Sequence, residues 1–172
     1  TGKILRVDLS SENAGSVYTG AAGAGRGGAL NGPGTYGVIE TARYAGRFLG
    51  GRGIASAIYW DEIPPETGAM DPENRLIFAL GPLAGIKSGI GGSRWGIFSK
   101  SPFPKRDHLC YGNLGGFFGA ELKFAGYDGL VVQGRTEEPV ILYIEDGRID
   151  LRPAGKLWGR SAVETLAALQ DE

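Results

Sequence analysis

The chain has 172 residues, and its 18 Lys and Arg residues nearly balance its 19 Asp and Glu residues, so its formal net charge is -1. This balance argues against a nucleic-acid-binding protein held by bulk positive charge, and the sequence has no run of about 18 apolar residues that would cross a membrane. One Cys and one His are too few soft ligands for a zinc site built from side chains. We expect a cytoplasmic protein.

The first predicted element is a half-buried strand, because apolar and polar residues alternate in "KILRVDL" at 3–9. The glycine-rich segment 19–37 has almost nothing to bury and predicts a flexible surface insertion. Gly23, Gly25 and Gly28 have dinucleotide-motif spacing, but they lack the preceding strand and following helix that this motif requires. From Thr41 the pattern is helical until two prolines end it at 64 and 65.

The second part of the chain alternates strands with one short helix. A helix at about 117–125 is apolar on most sides, which predicts that it is buried, and Gly126 predicts its end. Asp146-Gly147 predicts a tight hairpin turn within 139–153, and Ser161 with Glu164 forms a capping box that begins a final helix. Further strands are predicted at 74–80, 94–102 and 129–134.

Two segments resemble each other and predict an internal duplication. Leu49-Gly50-Gly51 precedes a helical pattern and then a buried strand, and Leu114-Gly115-Gly116, 65 residues later, does the same. Neither half has enough other structure to bury its helix alone. The sequence therefore predicts the α+β class, with two similar intertwined halves, each of a strand, a helix and further strands, forming one domain.

One segment is locally basic on a chain that is nearly neutral. Residues 87–107 contain Lys87, Arg94, Lys100, Lys105 and Arg106 against one acidic residue, and several glycines precede Arg94. Glycine lets backbone N–H groups approach an anion, and arginine can clamp phosphate oxygens with two hydrogen bonds. This pattern is compatible with an anion site or with a solvated basic loop.

The stretch "GNLGG" at 112–116 places Asn113 and Gly115 just before the predicted helix. Backbone donors at a helix start favour phosphate, but an asparagine at this position is equally typical of a helix cap. A Cys110–His108 dyad is the weaker of two interpretations, because two residues on one strand face do not orient each other and no third group is apparent. A loop thiol and an exposed imidazole are favoured instead.

Several sequence blocks, in order, are similar to one known family. They include "FLGGRGIASAIYWDEIPP", "DPENRLIFALGPLAG", "GGSRWGIFSKSP" and "GNLGGFFGAELKFAGYDGLVVQG". Together they resemble the N-terminal domain of the tungsten-containing aldehyde ferredoxin oxidoreductases. The resemblance covers nearly the whole chain apart from about residues 14–40, and it implies that residues 1–172 form this tungstopterin-binding domain as a fragment of a longer enzyme.

The resemblance also implies site residues. The pterin-contacting arginine of the family corresponds to Arg94, and its cofactor-binding asparagine and glycine correspond to Asn113 and Gly115. The backbone carbonyl of Asn113 would help to hold a magnesium ion between the pterin phosphates, while the tungsten or molybdenum would be held by the pterin dithiolenes. The [4Fe-4S] cysteines and the residues that handle aldehyde protons would lie in later domains, so no catalytic residue is assigned here.

The resemblance implies that the complete enzyme oxidises aldehydes to carboxylates with ferredoxin as electron acceptor. The expected partners are the remaining domains, ferredoxin and the aldehyde substrate, and a homo-oligomer is compatible with them. Leu114 departs from the family pattern, in which a small polar residue is common, and this leaves the subfamily open. Two alternatives remain. One is a stand-alone anion-binding or interaction module of the same fold without redox activity, and the other is a subunit of a related aromatic-thioester ring reductase.

Overall fold

The computed structural model describes residues 2–10, 28–30, 34–86, 92–103 and 108–170. Its elements, in chain order, are β1 Lys3–Asp8, β2 Gly28–Ala29, β3 Thr35–Glu40, α1 Ala42–Ala45, α2 Gly51–Glu62, β4 Leu76–Leu80, β5 Trp95–Ser101, β6 His108–Leu114, α3 Phe118–Phe124, β7 Gly129–Gln133, β8 Val140–Glu145, β9 Arg148–Pro153 and α4 Ala162–Gln170. No helix in these ranges is long and apolar enough to cross a membrane.

Seven strands form one mixed sheet in the order β2-β3-β1-β7-β4-β5-β6. Neighbouring strands are antiparallel except β1 and β7, which are parallel. Strands β8 and β9 pair as a separate hairpin. The predicted α+β class is confirmed.

The sheet separates two hydrophobic clusters, because successive side chains of a strand point to opposite faces. On one face Ile54 and Ile58 of α2 pack in a cluster with Ile77 and Phe98. On the other face Leu122 of α3 packs in a cluster with residues of β4 and of the β8–β9 hairpin. Helices α2 and α3 therefore cover opposite faces of the same sheet.

The two similar segments both follow the predicted order of glycine pair, helix and strand. Gly50 and Gly51 lie at the start of α2, which β4 follows, whereas Gly115 and Gly116 precede α3, which β7 follows. Strands β4 and β7 are antiparallel neighbours in the sheet. The two halves therefore share one sheet, and neither helix has a core without strands from the other half.

A predicted hairpin turn and a predicted helix cap are both confirmed. Asp146 and Gly147 both have positive φ, at 43° and 86°, as a two-residue hairpin turn requires. At the start of α4, the backbone N–H of Ser161 donates to the Glu164 carboxylate at 2.9 Å, and the N–H of Glu164 donates to the Ser161 hydroxyl at 3.3 Å. This reciprocal pair is the predicted capping box.

Three predictions need correction. Residues 35–37 lie in β3, so they are not part of a flexible insertion, while most of 19–34 lies outside the described residues. The helical pattern from Thr41 divides into α1 and α2, because the chain leaves the helix between them at Gly46. Helix α3 is not enclosed: Phe124 is 58% exposed, since only Gly119 and Leu122 face the sheet closely enough to be buried.

The predicted end of α3 at Gly126 is confirmed by its φ of 101°.

Two buried cations hold the C-terminal end of α2. The guanidinium of Arg6, on β1 and only 2% exposed, donates to both carboxylate oxygens of Glu62. The ammonium of Lys100, on β5, donates to the carbonyl oxygens of Pro64, Pro65 and Thr67 at 3.2, 3.0 and 2.6 Å. These contacts fix the helix and its following loop to the sheet at the end opposite to Gly50.

Asp128 ties together three separate segments just before β7. Its carboxylate accepts hydrogen bonds from the Gly2 backbone at 2.6 Å, the Thr41 hydroxyl at 2.8 Å and the Lys123 ammonium at 2.5 Å. Burial alone would raise the pKa of Asp128, but the hydrogen bonds from Lys123, Thr41 and Gly2 and the charge of Lys123 outweigh it and lower the pKa. The ionised carboxylate thus stabilises the fold.

We predict that Asp128→Asn lowers the free energy of unfolding by about 1–3 kcal/mol at neutral pH, because three donors lose a charged acceptor. A carboxylate whose pKa is lower in the folded state stabilises above its ordinary value of 3.8 and loses that effect as pH falls through the folded pKa. The difference between variant and wild type should therefore narrow in acid. Denaturant unfolding at pH 7 and pH 3 measures it, with exposed Glu138→Gln as control; a gap that stays constant would contradict the assignment.

Candidate anion-binding site

The three site residues predicted from the sequence lie together at one end of the sheet. Trp95, the first residue of β5, pairs with Leu80 of β4 and with Leu114 of β6. Arg94 immediately precedes Trp95 and Gly115 immediately follows Leu114, so both lie at this end, which we call the site end. Asn113 pairs with Gly96 one position further into the sheet.

The starts of α2 and α3 come close to the site end at two glycines, which have no side chain to obstruct the contact. A Cβ added at Gly50, which has a φ of 149°, would lie 3.0 Å from Pro82 Cδ and 3.1 Å from the carbonyl oxygen of Leu80. A Cβ added at Gly119 would lie 3.2 Å from side-chain atoms of Leu80 and Trp95. The starts of α2 and α3 therefore approach the end of β4 from opposite faces.

Trp95 supports the site end from the α3 side. Its ring lies 5.6 Å from the ring of Phe78 and 4.6 Å from that of Phe118. Its indole Nε1–H donates to the carbonyl oxygen of Gly115 at 3.2 Å. As the alternation of the strand predicts, this ring packs beneath the sheet end and on the face away from α2, and its hydrogen bond fixes the chain where β6 ends.

The opposite side of the site end is open and positively charged. Arg94 and Asn113 are exposed, and no carboxylate of the described residues lies within 4 Å of the Arg94 guanidinium. A Cβ added at Gly115 or Gly116 would meet no heavy atom within 4 Å. A guanidinium, a polar side chain and bare backbone thus border free space, an arrangement that suits a bulky anion.

Other basic residues proposed from the sequence do not contribute in the same way. Lys100 is 5% exposed and bonded to the loop after α2, so its inclusion in an anion site is wrong. The physical reason is the strand period, which turns Lys100 into the α2 face near the other end of the sheet. Lys87, Lys105 and Arg106 lie outside the described residues.

His108 and Cys110 lie on β6, a strand that the sequence reasoning did not identify. His108 is exposed, and Cys110 is half-buried within the strand, not in a loop. Within the described residues, no group of three or more His, Cys, Asp or Glu side chains could hold a metal ion.

Sequence reasoning also missed Arg52. Its guanidinium lies 3.9 Å from the centre of the Tyr111 ring, on β6 two residues before Asn113. The duplicated glycine pair was the available signal. Arg52 directly follows Gly50-Gly51, which corresponds in the duplication to the Gly115-Gly116 pair beside Asn113.

The fold is a mixed-sheet α+β domain, and its site end exposes the Arg94 side chain and the backbone of Gly115 and Gly116. The sequence model of the family "Aldehyde ferredoxin oxidoreductase, N-terminal domain" matches residues 33–172. The chain therefore belongs to the aldehyde ferredoxin oxidoreductase family, a family of oxidoreductases.

Curated relatives agree with this assignment. The chain is 44% identical over 128 residues to a tungsten-containing aldehyde ferredoxin oxidoreductase of Pyrococcus furiosus, covering 74% of this chain and 21% of the relative. It is 36% identical over 129 residues to the WOR-like subunit of an aliphatic sulfonate oxidoreductase of the same organism, covering 73% and 20%. The chain thus spans about a fifth of the length of these relatives.

A solved structure is also similar. The active-site complex BamBC of benzoyl coenzyme A reductase, determined with 1,5-dienoyl-CoA, matches with a TM-score of 0.80 and 33% identity. The match covers 99% of this chain and 22% of the other. The mixed sheet with helices on both faces is therefore shared with an enzyme named for a different substrate.

We predict that Gly119→Val destabilises the fold by about 1–3 kcal/mol, because the larger side chain must displace Leu80 and Trp95. Gly115→Val is the matched control: it adds the same atoms four residues earlier, into open space, and its change should stay within about 0.5 kcal/mol. Thermal and denaturant unfolding of the two variants measure this difference. Equal destabilisation by both variants would contradict the close approach of α3 to the sheet.

Proposed function

We propose that this domain binds the phosphate and pterin groups of a bis-pterin tungsten cofactor at the site end, within a longer enzyme that oxidises aldehydes. The observation that carries the proposal is the convergence of Arg94, Asn113 and Gly115 from two strands beside open space. Arg94 lies in a different segment from Asn113 and Gly115, and all three correspond to the cofactor-contacting positions that the family resemblance implies. A guanidinium and bare backbone are chemically suited to hold anionic oxygens.

Each residue has a distinct role in this proposal. Arg94 donates paired hydrogen bonds to anionic oxygens of the cofactor. Gly115 leaves the backbone bare, so that a flat ring system can lie against it. The backbone carbonyl oxygen of Asn113 would be a ligand for a magnesium ion bound with the cofactor, since magnesium prefers such oxygen ligands. Strand β6 suits this role, because it is the last strand of the described sheet and its outer edge is unpaired there.

The chemistry of the complete enzyme belongs to the cofactor, which when bound accepts the electrons released as an aldehyde becomes a carboxylate. This chain supplies orientation and charge. In the proposal, later domains of the same polypeptide carry a [4Fe-4S] cluster and the residues that handle protons. Ferredoxin receives the electrons, and the enzyme is cytoplasmic.

A second candidate is a subunit of a reductase that acts on the ring of an aromatic thioester. It is supported by the benzoyl coenzyme A reductase complex, which shares the fold over 99% of this chain at 33% identity. Because the fold is common to both, the substrate distinguishes them. Steady-state assays of the full-length enzyme with aldehydes and with benzoyl-CoA as alternative substrates decide between the two, and activity on the thioester alone would replace the aldehyde proposal.

We predict that Arg94→Ala reduces the tungsten content of the full-length enzyme several-fold, because a charge-assisted contact to the cofactor is worth about 1.5–3 kcal/mol. Metal analysis of the purified protein measures this content. Arg135→Ala is the control, since Arg135 is also exposed but follows β7 at the opposite end of the sheet. Undiminished tungsten in the Arg94 variant would remove the assignment of this site.

A further inference from the structure

Arg52 occupies an unusual place for a cation. It is the second residue of α2, and no acidic residue lies in the first turn of that helix. The positive end of a helix dipole disfavours a positive side chain there. Within the described part of the chain, no carboxylate lies within 4 Å of its guanidinium. Among the described residues, no ion pair therefore accounts for its position.

An aromatic stack holds the Arg52 guanidinium on the α2 side of the sheet. The rings of Phe98 and Tyr111 are stacked, with centroids 5.9 Å apart and planes inclined by 23°. The guanidinium carbon of Arg52 lies 3.9 Å from the centroid of the Tyr111 ring. Such stacking orients an arginine and leaves its N–H donors at the rim of the ring available.

The stack leans toward the site end. A Cβ added at Gly96 would lie 2.6 Å from Cε2 of Phe98, so the Phe98 ring covers Gly96. Gly96 is the register partner of Asn113. Tyr111 and Asn113 are two residues apart on β6, so their side chains share one face of the strand, and the Arg52 guanidinium over the Tyr111 ring lies on the face that carries Asn113.

We propose that Arg52 is a second anion-binding arginine of the site end, which contacts a phosphate group of the bound cofactor, and that Tyr111 is a positioning residue for it. This inference rests on the proposed function and deepens it. Arg94 directly precedes β5 and Arg52 lies in the first turn of α2, so the two guanidinium groups belong to different elements near the site end. A phosphate between them receives donors from two directions.

The test uses the full-length enzyme and measures tungsten per protein after dialysis against rising concentrations of inorganic phosphate. Arg52→Ala should lose the cofactor at phosphate concentrations about tenfold lower than wild type, the change expected for one charge-assisted contact. Arg52→Lys keeps the charge without the planar fork and should lie between them. Tyr111→Leu should weaken retention, whereas Tyr111→Phe, which keeps the stack, should restore it.

Arg152→Ala is the matched control, because Arg152 lies 3.5 Å from the Tyr143 ring on the separate β8–β9 hairpin. It should retain the cofactor like wild type. If Arg94→Ala loses tungsten while every Arg52 variant retains it, the inference fails and the proposed function stands. If the Arg94 variant and the Arg52 variants all retain tungsten, both the proposed function and the inference fail. If Arg52→Ala does not fold, Arg52→Gln and Arg52→Lys provide the decision, since both keep an aliphatic stem with a polar end, and wild-type retention in Arg52→Gln overturns the inference.

Discussion

The close approach of two helix starts to the end of β4 is the constraint on which the site end depends. Gly50 and Gly119 permit it, since a Cβ at either would press on Leu80 or its neighbours. Without these contacts α2 and α3 would stand further from the sheet, and the strand ends that carry Arg94 and Gly115 would lose support from both faces. Glycine is therefore abundant at this end for two separate reasons: some positions allow packing, and others leave space for a ligand.

The two faces of the sheet have different tasks at that end. On the α3 face, Trp95 contacts two phenylalanine rings and bonds to the Gly115 carbonyl, so it fixes the backbone from below. On the α2 face, Arg52 and Asn113 are exposed. The opposite end of α2 is held by the buried Arg6–Glu62 pair and by Lys100. Because the helix is anchored there, its first turn can carry a cation without its own counter-charge.

The sequence was informative wherever local chemistry decides the structure. The Asp146-Gly147 turn, the Ser161–Glu164 capping box and the end of α3 at Gly126 follow from residue types at neighbouring positions. Strand β6 was missed because "HLCYGNL" has no sustained alternation and lies at the sheet edge, where burial leaves little pattern. The exposed face of α3 was also unpredictable, since apolar composition cannot show which neighbours cover a helix. The grouping of Arg94, Asn113 and Gly115 follows from strand register, and Arg52 joins them only through its contact with Tyr111.

Exposure limits what these arginines contribute by charge alone. Two unit charges 4 Å apart attract by about 1 kcal/mol in water but by about 4 kcal/mol at the effective dielectric of a protein surface. Arg94 and Arg52 are exposed in this chain, so their attraction for phosphate is close to the weaker limit. Their chief contribution is therefore orientation, which stacking on Tyr111 supplies for Arg52 and the rigid start of β5 supplies for Arg94. Exclusion of water from the site end would therefore strengthen the electrostatic attraction of both arginines for the proposed anion without moving either residue.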